Sequence, residues 1–230
     1  MLLRDQKGYL LDNHAGDGGD SANRAGLSEL FGLAAEPLAD YEIGLTGKLV
    51  RHPSQFPWNN PKNFTRDQLI PFAAGLWQSH QTALARRIFW SRARRLFFSQ
   101  STERDIPGSK KFPWPHQFIN DGGQLETRRF DFADPLMPDA IWHLILCARL
   151  KPLYWFGLIG APWLFLSVVG HCLLSKSDDE GQIIAQAVVG GRGFIKLYKK
   201  LKPDWQDSLE RYWCGWRNMP EMAQAIKTKF

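Results

Sequence analysis

Residues 153–174 run 22 positions without an Asp, Glu, Lys or Arg. That length meets the requirement for crossing a bilayer, about 20 apolar residues. Arg149 and Lys151 precede the run; Lys176 and then Asp178, Asp179 and Glu180 follow it. Gly157, Gly160, Pro162 and Gly170 interrupt it. A proline inside a regular helix costs roughly 3 kcal/mol. The pattern therefore predicts a break at Gly160-Ala161-Pro162 and two short apolar helices. Three environments stay open for them: a buried core, a segment lying on or dipping into a membrane, or a true span.

The rest of the chain is ordinary enough to fold around such a segment. It has 230 residues, 44% apolar and 23% charged, which excludes wholesale disorder and suffices for a sizeable core. Ten tryptophans exceed what a core usually needs. Indole rings on this scale serve a packed core, a membrane interface, or platforms for sugars or bases. Trp142, Trp155 and Trp163 fall in the apolar segments and are expected to pack, whereas Trp58 and Trp114 sit in polar, proline-flanked loops.

The net charge of +6 is unevenly spread. Residues 1–67 hold nine acids against seven bases, so residues 68–230 carry the whole basic excess. Stretches 68–102, 140–177 and 181–203 contain no acid. A basic body joined to a slightly acidic N-terminal part implies a polarised surface. One domain, 1–230, is expected, with a subdivision at 67/68.

Periodicity and caps read as all-α: mainly antiparallel helices in a partial (α/α)-toroid or irregular bundle, with long ordered loops. Ser21 is expected to start a helix reaching about residue 34. Thr65 and Gln68 have capping-box spacing and open a second, with Pro71 as an early break. Further helices are predicted near 81–99, 138–150 (Pro138 at the first position), 177–189, 194–201, 204–214 and 219–228. Residues 41–50 suggest a small β-hairpin. Residues 51–64 and 102–135 read as loops.

Several chemistries lack their signatures. Cys147, Cys172 and Cys214 are far apart and odd in number, which argues against a disulfide framework or a structural zinc site. No H-x-x-x-H, H-E-x-x-H, G-x-S-x-G, Walker A or strand-linked G-x-G-x-x-G occurs, so no metal and no cofactor are expected. His143 and His171 fall in apolar helices and read as core histidines. The first residues lack a secretory apolar region. The expected setting is cytoplasmic or virion-associated, with peripheral membrane attachment as a further option. Nothing signals specific nucleic-acid binding.

The chemistry-bearing residues gather in loops at helix starts. In 12–24, glycines let the backbone approach a ligand, and Asp17 and Asp20 suit acid/base work better than anion binding. Asp67 begins a helix, where the positive dipole end favours a carboxylate as base or ligand-orienting group. These three are the candidate catalytic residues. Arg24, His52, Trp58, Arg66, Gln68, Trp114 and His116 are the candidate ligand-binding residues. The plainer alternative is that Asp20 or Ser21 caps its helix, Arg24 pairs with a neighbouring Asp, and Asp67 and Arg66 serve the helix end and a surface ion pair. Arg86, Arg87, Arg92, Arg94 and Arg95 crowd one helix, either as a site for an acidic partner or as a solvated face balanced by acids.

The segments Gly16-Asp17-Gly18-Gly19-Asp20-Ser21-Ala22-Asn23-Arg24-Ala25-Gly26, Arg51-His52-Pro53 and Phe64-Thr65-Arg66-Asp67-Gln68-Leu69-Ile70-Pro71 resemble a set of uncharacterised bacterial and bacteriophage proteins. The succession of helices with polar loops at their starts is similar in architecture to (α/α)-toroid carbohydrate enzymes. That likeness is architectural only. Loops 12–24, 51–68 and 110–130 are expected to form a cleft that binds or cleaves a polar polymer, most naturally carbohydrate, with Trp58 and Trp114 stacking on sugar rings; if it is an enzyme, the chemistry is glycoside hydrolase- or lyase-like through the carboxylates. The alternative is a non-enzymatic phage, virion or membrane-surface assembly protein using the apolar 141–174 region as its interface.

Overall fold

The computed structural model describes residues 4–11, 18–33, 36–98, 116–120, 122–128, 137–174, 180–216 and 219–230. The fold is all-α. Helices α1 (Ser21–Phe31), α2 (Arg66–Gln78), α3 (Thr82–Phe98) and α4 (Pro138–Cys147) make up the first half. Helices α5 (Gly157–Leu174), α6 (Glu180–Gly190), α7 (Arg192–Leu201), α8 (Trp205–Leu209) and α9 (Pro220–Lys229) complete it. A π-helical stretch, Glu210–Trp216, extends α8. The only sheet among the described residues is a two-stranded antiparallel hairpin, β1 (His116–Ile119) and β2 (Leu125–Arg128), pairing His116 with Arg128 and Ile119 with Leu125. It lies where a loop was expected.

The centre of the bundle is the crossing of α1 and α2. A methyl group on Gly26 would stand 2.4 Å from Phe72 Cα, and one on Gly75 would stand 2.6 Å from the Gly26 carbonyl. Only glycine at both positions lets the two backbones touch. Around this crossing, Leu27 and Leu30 of α1 meet a core that includes Leu69, Phe72 and Leu76 of α2, Leu144 of α4 and Ile184 of α6, all fully buried. α1 ends at Gly32, whose left-handed backbone (φ 74°) returns its N–H to Glu29. Pro138 and Pro220 stand in the first turns of α4 and α9, where a missing N–H costs nothing.

Two expectations need correction. The apolar run does not split: a 3-10 turn, Lys151–Phe156, leads into one continuous helix, α5, which passes through Pro162. The glycines explain this. A methyl group on Gly160 would stand 2.4 Å from Trp142 Cβ, and one on Gly157 would stand 2.9 Å from its ring. They are notches that seat α5 on Trp142 of α4, not breaks. Pro162 costs a single hydrogen bond near the helix start. Second, 41–50 forms a tight antiparallel turn closed by one bridge, Glu42 to Leu49, rather than a hairpin with two strands. The capping box expected at 177–180 lies largely outside the described residues; α6 is described from Glu180.

Candidate functional site

The first residues of α1 and α2 meet, and their polar groups account for one another. The early N–H groups of α1 have no partner within the helix and need one elsewhere. Ser21 N–H donates to the Gly18 carbonyl, Ala22 to Arg51, and Arg24 to Asp20. Asn23 N–H donates to Gln68 Oε1 at 3.0 Å, and Asn23 Nδ2 to the Asp67 carbonyl at 2.8 Å. Helix α1 is thus capped from outside, by a side chain of α2. Neither Asp20 nor Ser21 makes a side-chain cap; the Ser21 hydroxyl pairs with Tyr41 Oη at 2.7 Å. The capping-box pattern at Thr65 is likewise diverted. Thr65 makes no cap; its hydroxyl accepts from Arg51 at 2.9 Å.

That diversion joins two of the expected catalytic residues. The fully buried Gln68 amide donates to Asp20 Oδ1 at 2.9 Å and to Asp67 Oδ2 at 3.1 Å. Both carboxylates are partly exposed and both stand at helix N-termini, where dipoles offset their mutual repulsion. A partly exposed carboxylate pair joined by one donor can accept hydroxyl groups or act as an acid/base couple.

The other expected site residues distribute differently. Trp58, half-buried, supports the Arg51 guanidinium, 5.4 Å above its ring. Arg51 in turn donates from Nε to the Asn63 carbonyl at 2.7 Å, so the tryptophan reaches the α1–α2 junction through an arginine that was not among the candidates. Asn63 is fully buried and donates to the Asn120 carbonyl at 3.3 Å, tying this loop to the β1–β2 turn. Arg24 is buried and donates to the Leu11 carbonyl. Asp17 and Trp114 lie outside the described residues; His116 is placed on β1, but its side chain is not described.

His52 does not face the junction. Its ring is fully buried beneath Gly18, where a methyl group would stand 2.3 Å from Cδ2, and packs edge-on to Tyr9. Nδ1 accepts the N–H groups of Ser54 and Gln55, both at 3.2 Å, which leaves the proton on Nε2, 3.5 Å from Asp5 Oδ2. Burial lowers its pKa, against the pull of the Asp5 carboxylate. His52 pins the turn that precedes α1.

Arg66 points the other way, into the core. It forms a buried ion pair with Asp139 at the start of α4, and reaches Ser167 of α5 at 2.5 Å. Gln186 of α6 donates to the same Asp139 oxygen at 2.8 Å. Arg66 therefore organises the α2–α4–α5–α6 junction rather than a ligand cleft. Its fixed charge and fork geometry suit that task. Next to it, His143 is fully buried and donates to the Ile70 carbonyl, and burial pushes its pKa down to about 4.

The arginine-rich helix is mostly spent on internal partners. Arg87 forms a two-pronged pair with Glu42 at 2.9 and 2.6 Å; burial pushes the Glu42 pKa up, but Arg87 and the Gly47 N–H outweigh it and hold the carboxyl low. Arg86 donates to the Ala148 carbonyl, and Arg92 is buried over Phe64. Arg94 is exposed; the Arg95 side chain is not described.

Helix α5 departs from the buried-core alternative. A helix apolar all round is ordinarily buried all round. Here a single stripe, Gly160, Leu164 and Val168, faces the body. Leu158 (83% exposed), Ile159, Trp163, Phe165, Leu166 and Leu173 face outward, with Tyr154 and Trp155 (63% exposed) in the preceding turn. The buried-core and packed-tryptophan expectations fail at Trp155 and Trp163 because no described element lies over this face. Helix α7 packs beside α5 and buries Tyr198. Its outer side carries Arg192, Lys196 and Lys200 one turn apart, all exposed and without a partner among the described residues.

Among the described residues no group of three His, Cys, Asp or Glu is placed to hold a metal ion. Comparison with protein-family models, curated proteins and solved structures finds no match.

Proposed function

We propose that this protein docks on a membrane surface through α5 and the turn before it. The observation that carries the reading is the outward apolar face of α5. Large exposed apolar patches mark interaction sites, and this one has the composition of a bilayer contact. It combines aliphatic side chains with tryptophan and tyrosine, which favour the lipid–water boundary. It lies within a stretch, 140–177, that has no acid to repel lipid headgroups. Lys151, exposed, precedes it. With 18 residues, α5 would lie about 27 Å along the interface. The buried stripe, Gly160, Leu164 and Val168, holds it to the body, which favours lying on the membrane over crossing it. Flotation of the full chain with phospholipid vesicles tests this. Co-flotation with a blue shift of tryptophan emission, as Trp155 and Trp163 leave water, is expected. A chain that stays at the bottom of the gradient, or that sediments as a dimer with α5 already covered, would overturn the reading.

A second reading rests on the donor shared by Asp20 and Asp67. The α1–α2 junction binds a polar polymer, most naturally carbohydrate, with the two carboxylates taking its hydroxyl groups and Trp58 close by. Titration calorimetry against a panel of soluble polysaccharides tests it. Binding that is lost in Asp20→Asn and Asp67→Asn supports the reading; no binding in the wild-type chain removes it.

A further inference from the structure

We infer that the membrane face selects anionic lipid headgroups, through the row Arg192, Lys196 and Lys200 on α7; this rests on the membrane reading of α5. An i, i+4, i+8 row lies along one side of a helix. All three side chains are exposed, and among the described residues none has a counter-charge. The remaining cations of the segment behave otherwise. Lys202 pairs with the buried Glu180, and Lys199 lies over Trp205 and donates to the carbonyl of Phe230. Lys199, on the same side of the helix, and Lys202, just past its end, are thus engaged by protein groups, while Arg192, Lys196 and Lys200 are exposed to solvent. Beneath the outer row, Phe194, Ile195 and Leu197 pack against the core, so the row sits on a fixed support rather than a loose tail.

Position decides the partner. Helix α7 packs against α5. An apolar helix for the acyl boundary and an adjacent row of exposed cations match a bilayer that presents phosphate groups at its surface. An acidic protein would also meet the cations, but not the wide apolar side of α5 beside them. Each basic group near an anionic surface adds about 1 kcal/mol, so three should strengthen binding on the order of a hundredfold at low ionic strength. The gain should shrink as salt screens it.

The test uses the full chain and two vesicle types, phosphatidylcholine alone and the same lipid with roughly three parts in ten phosphatidylglycerol. Wild type should bind the anionic vesicles on the order of a hundredfold more tightly. The triple variant Arg192→Gln, Lys196→Gln, Lys200→Gln should keep its affinity for neutral vesicles and lose the preference. Equal wild-type binding to both vesicle types, or an unchanged preference in the triple variant, overturns the inference and leaves the membrane reading standing. No binding to either vesicle type overturns the membrane reading and this inference with it. Because the three side chains are exposed, a thermal melt should show the variant folded like wild type.

Discussion

Asp20 and Asp67, forty-seven positions apart, share one donor: Gln68 Nε2 donates to both carboxylates while its Oε1 takes the Asn23 N–H. One buried amide therefore caps α1, spaces two acids and fastens α1 to α2. Gln68→Leu removes the acceptor that caps the Asn23 N–H and the link between α1 and α2. The two carboxylates are partly exposed and keep access to water, so the cost is that of a lost helix cap and its hydrogen bonds. Gln68→Leu should destabilise the fold by about 1–2 kcal/mol in urea unfolding. A double-mutant cycle with Asp20→Asn should show coupling above about 0.5 kcal/mol; strict additivity would mean the bridge is absent in solution.

The Arg66–Asp139 pair makes a different prediction. Both side chains are almost fully buried, so removing one charge strands the other. Arg66→Met should cost about 3–5 kcal/mol, while Arg66→Met with Asp139→Leu should recover much of the loss. Chemical denaturation of the two variants beside wild type checks the order. A double variant less stable than the single would show that the pair contributes net stability.

His143 supplies a pH dependence with a defined sign. It is neutral in the fold, with a pKa near 4 against 6.5 for an unperturbed histidine; burial is the main cause, the Ile70 carbonyl and Asp139 oppose it, and Arg66 adds to it. Between those values the unfolded chain binds more protons, so stability falls as pH drops from about 6.5 towards 4 and is insensitive to this group above that window. The full excursion amounts to about 3 kcal/mol. Unfolding free energies measured across this range should slope more steeply for wild type than for His143→Gln; parallel slopes would refute the assignment.

On α5, Leu158→Gln and Leu166→Gln should leave folding stability within about 0.5 kcal/mol of wild type, because neither side chain is buried. Vesicle binding should weaken about tenfold or more for each. Leu164→Ala should do the reverse: it is 1% exposed, so truncation should lower stability by about 2–5 kcal/mol. Melts and vesicle titrations on the same three proteins separate the inner stripe from the outer face.

Much of this architecture is local and could be read from sequence. Pro138, Ser21 and the Thr65 start mark helix starts within a residue or two. The misreadings share a cause: a long-range partner took a group whose local use looked sufficient. Thr65 and Gln68 have the spacing of a reciprocal cap, yet Arg51 claims one and Asp20 with Asn23 the other. Gly157 and Gly160 look like breaks until Trp142 is seen against them. Arg66 and Asp67 are neighbours in a polar motif, but adjacent positions on a helix face different ways. The absence of charge in 153–174 was legible; which side of that helix would lie open was not, since periodicity is silent for a segment apolar on every side.

Arg66 holds Ser167 of α5, while Asp67 and Gln68, the next two residues, hold the acidic junction. One turn of α2 is therefore common to both faces of the molecule. Thermodynamic linkage makes the relation two-way: if seating α5 favours one setting of that turn, whatever occupies the junction in that setting must favour the seating of α5 by the same factor. The change in vesicle affinity on filling the junction and the change in junction affinity on seating α5 would then be one coupling free energy, measurable from either side.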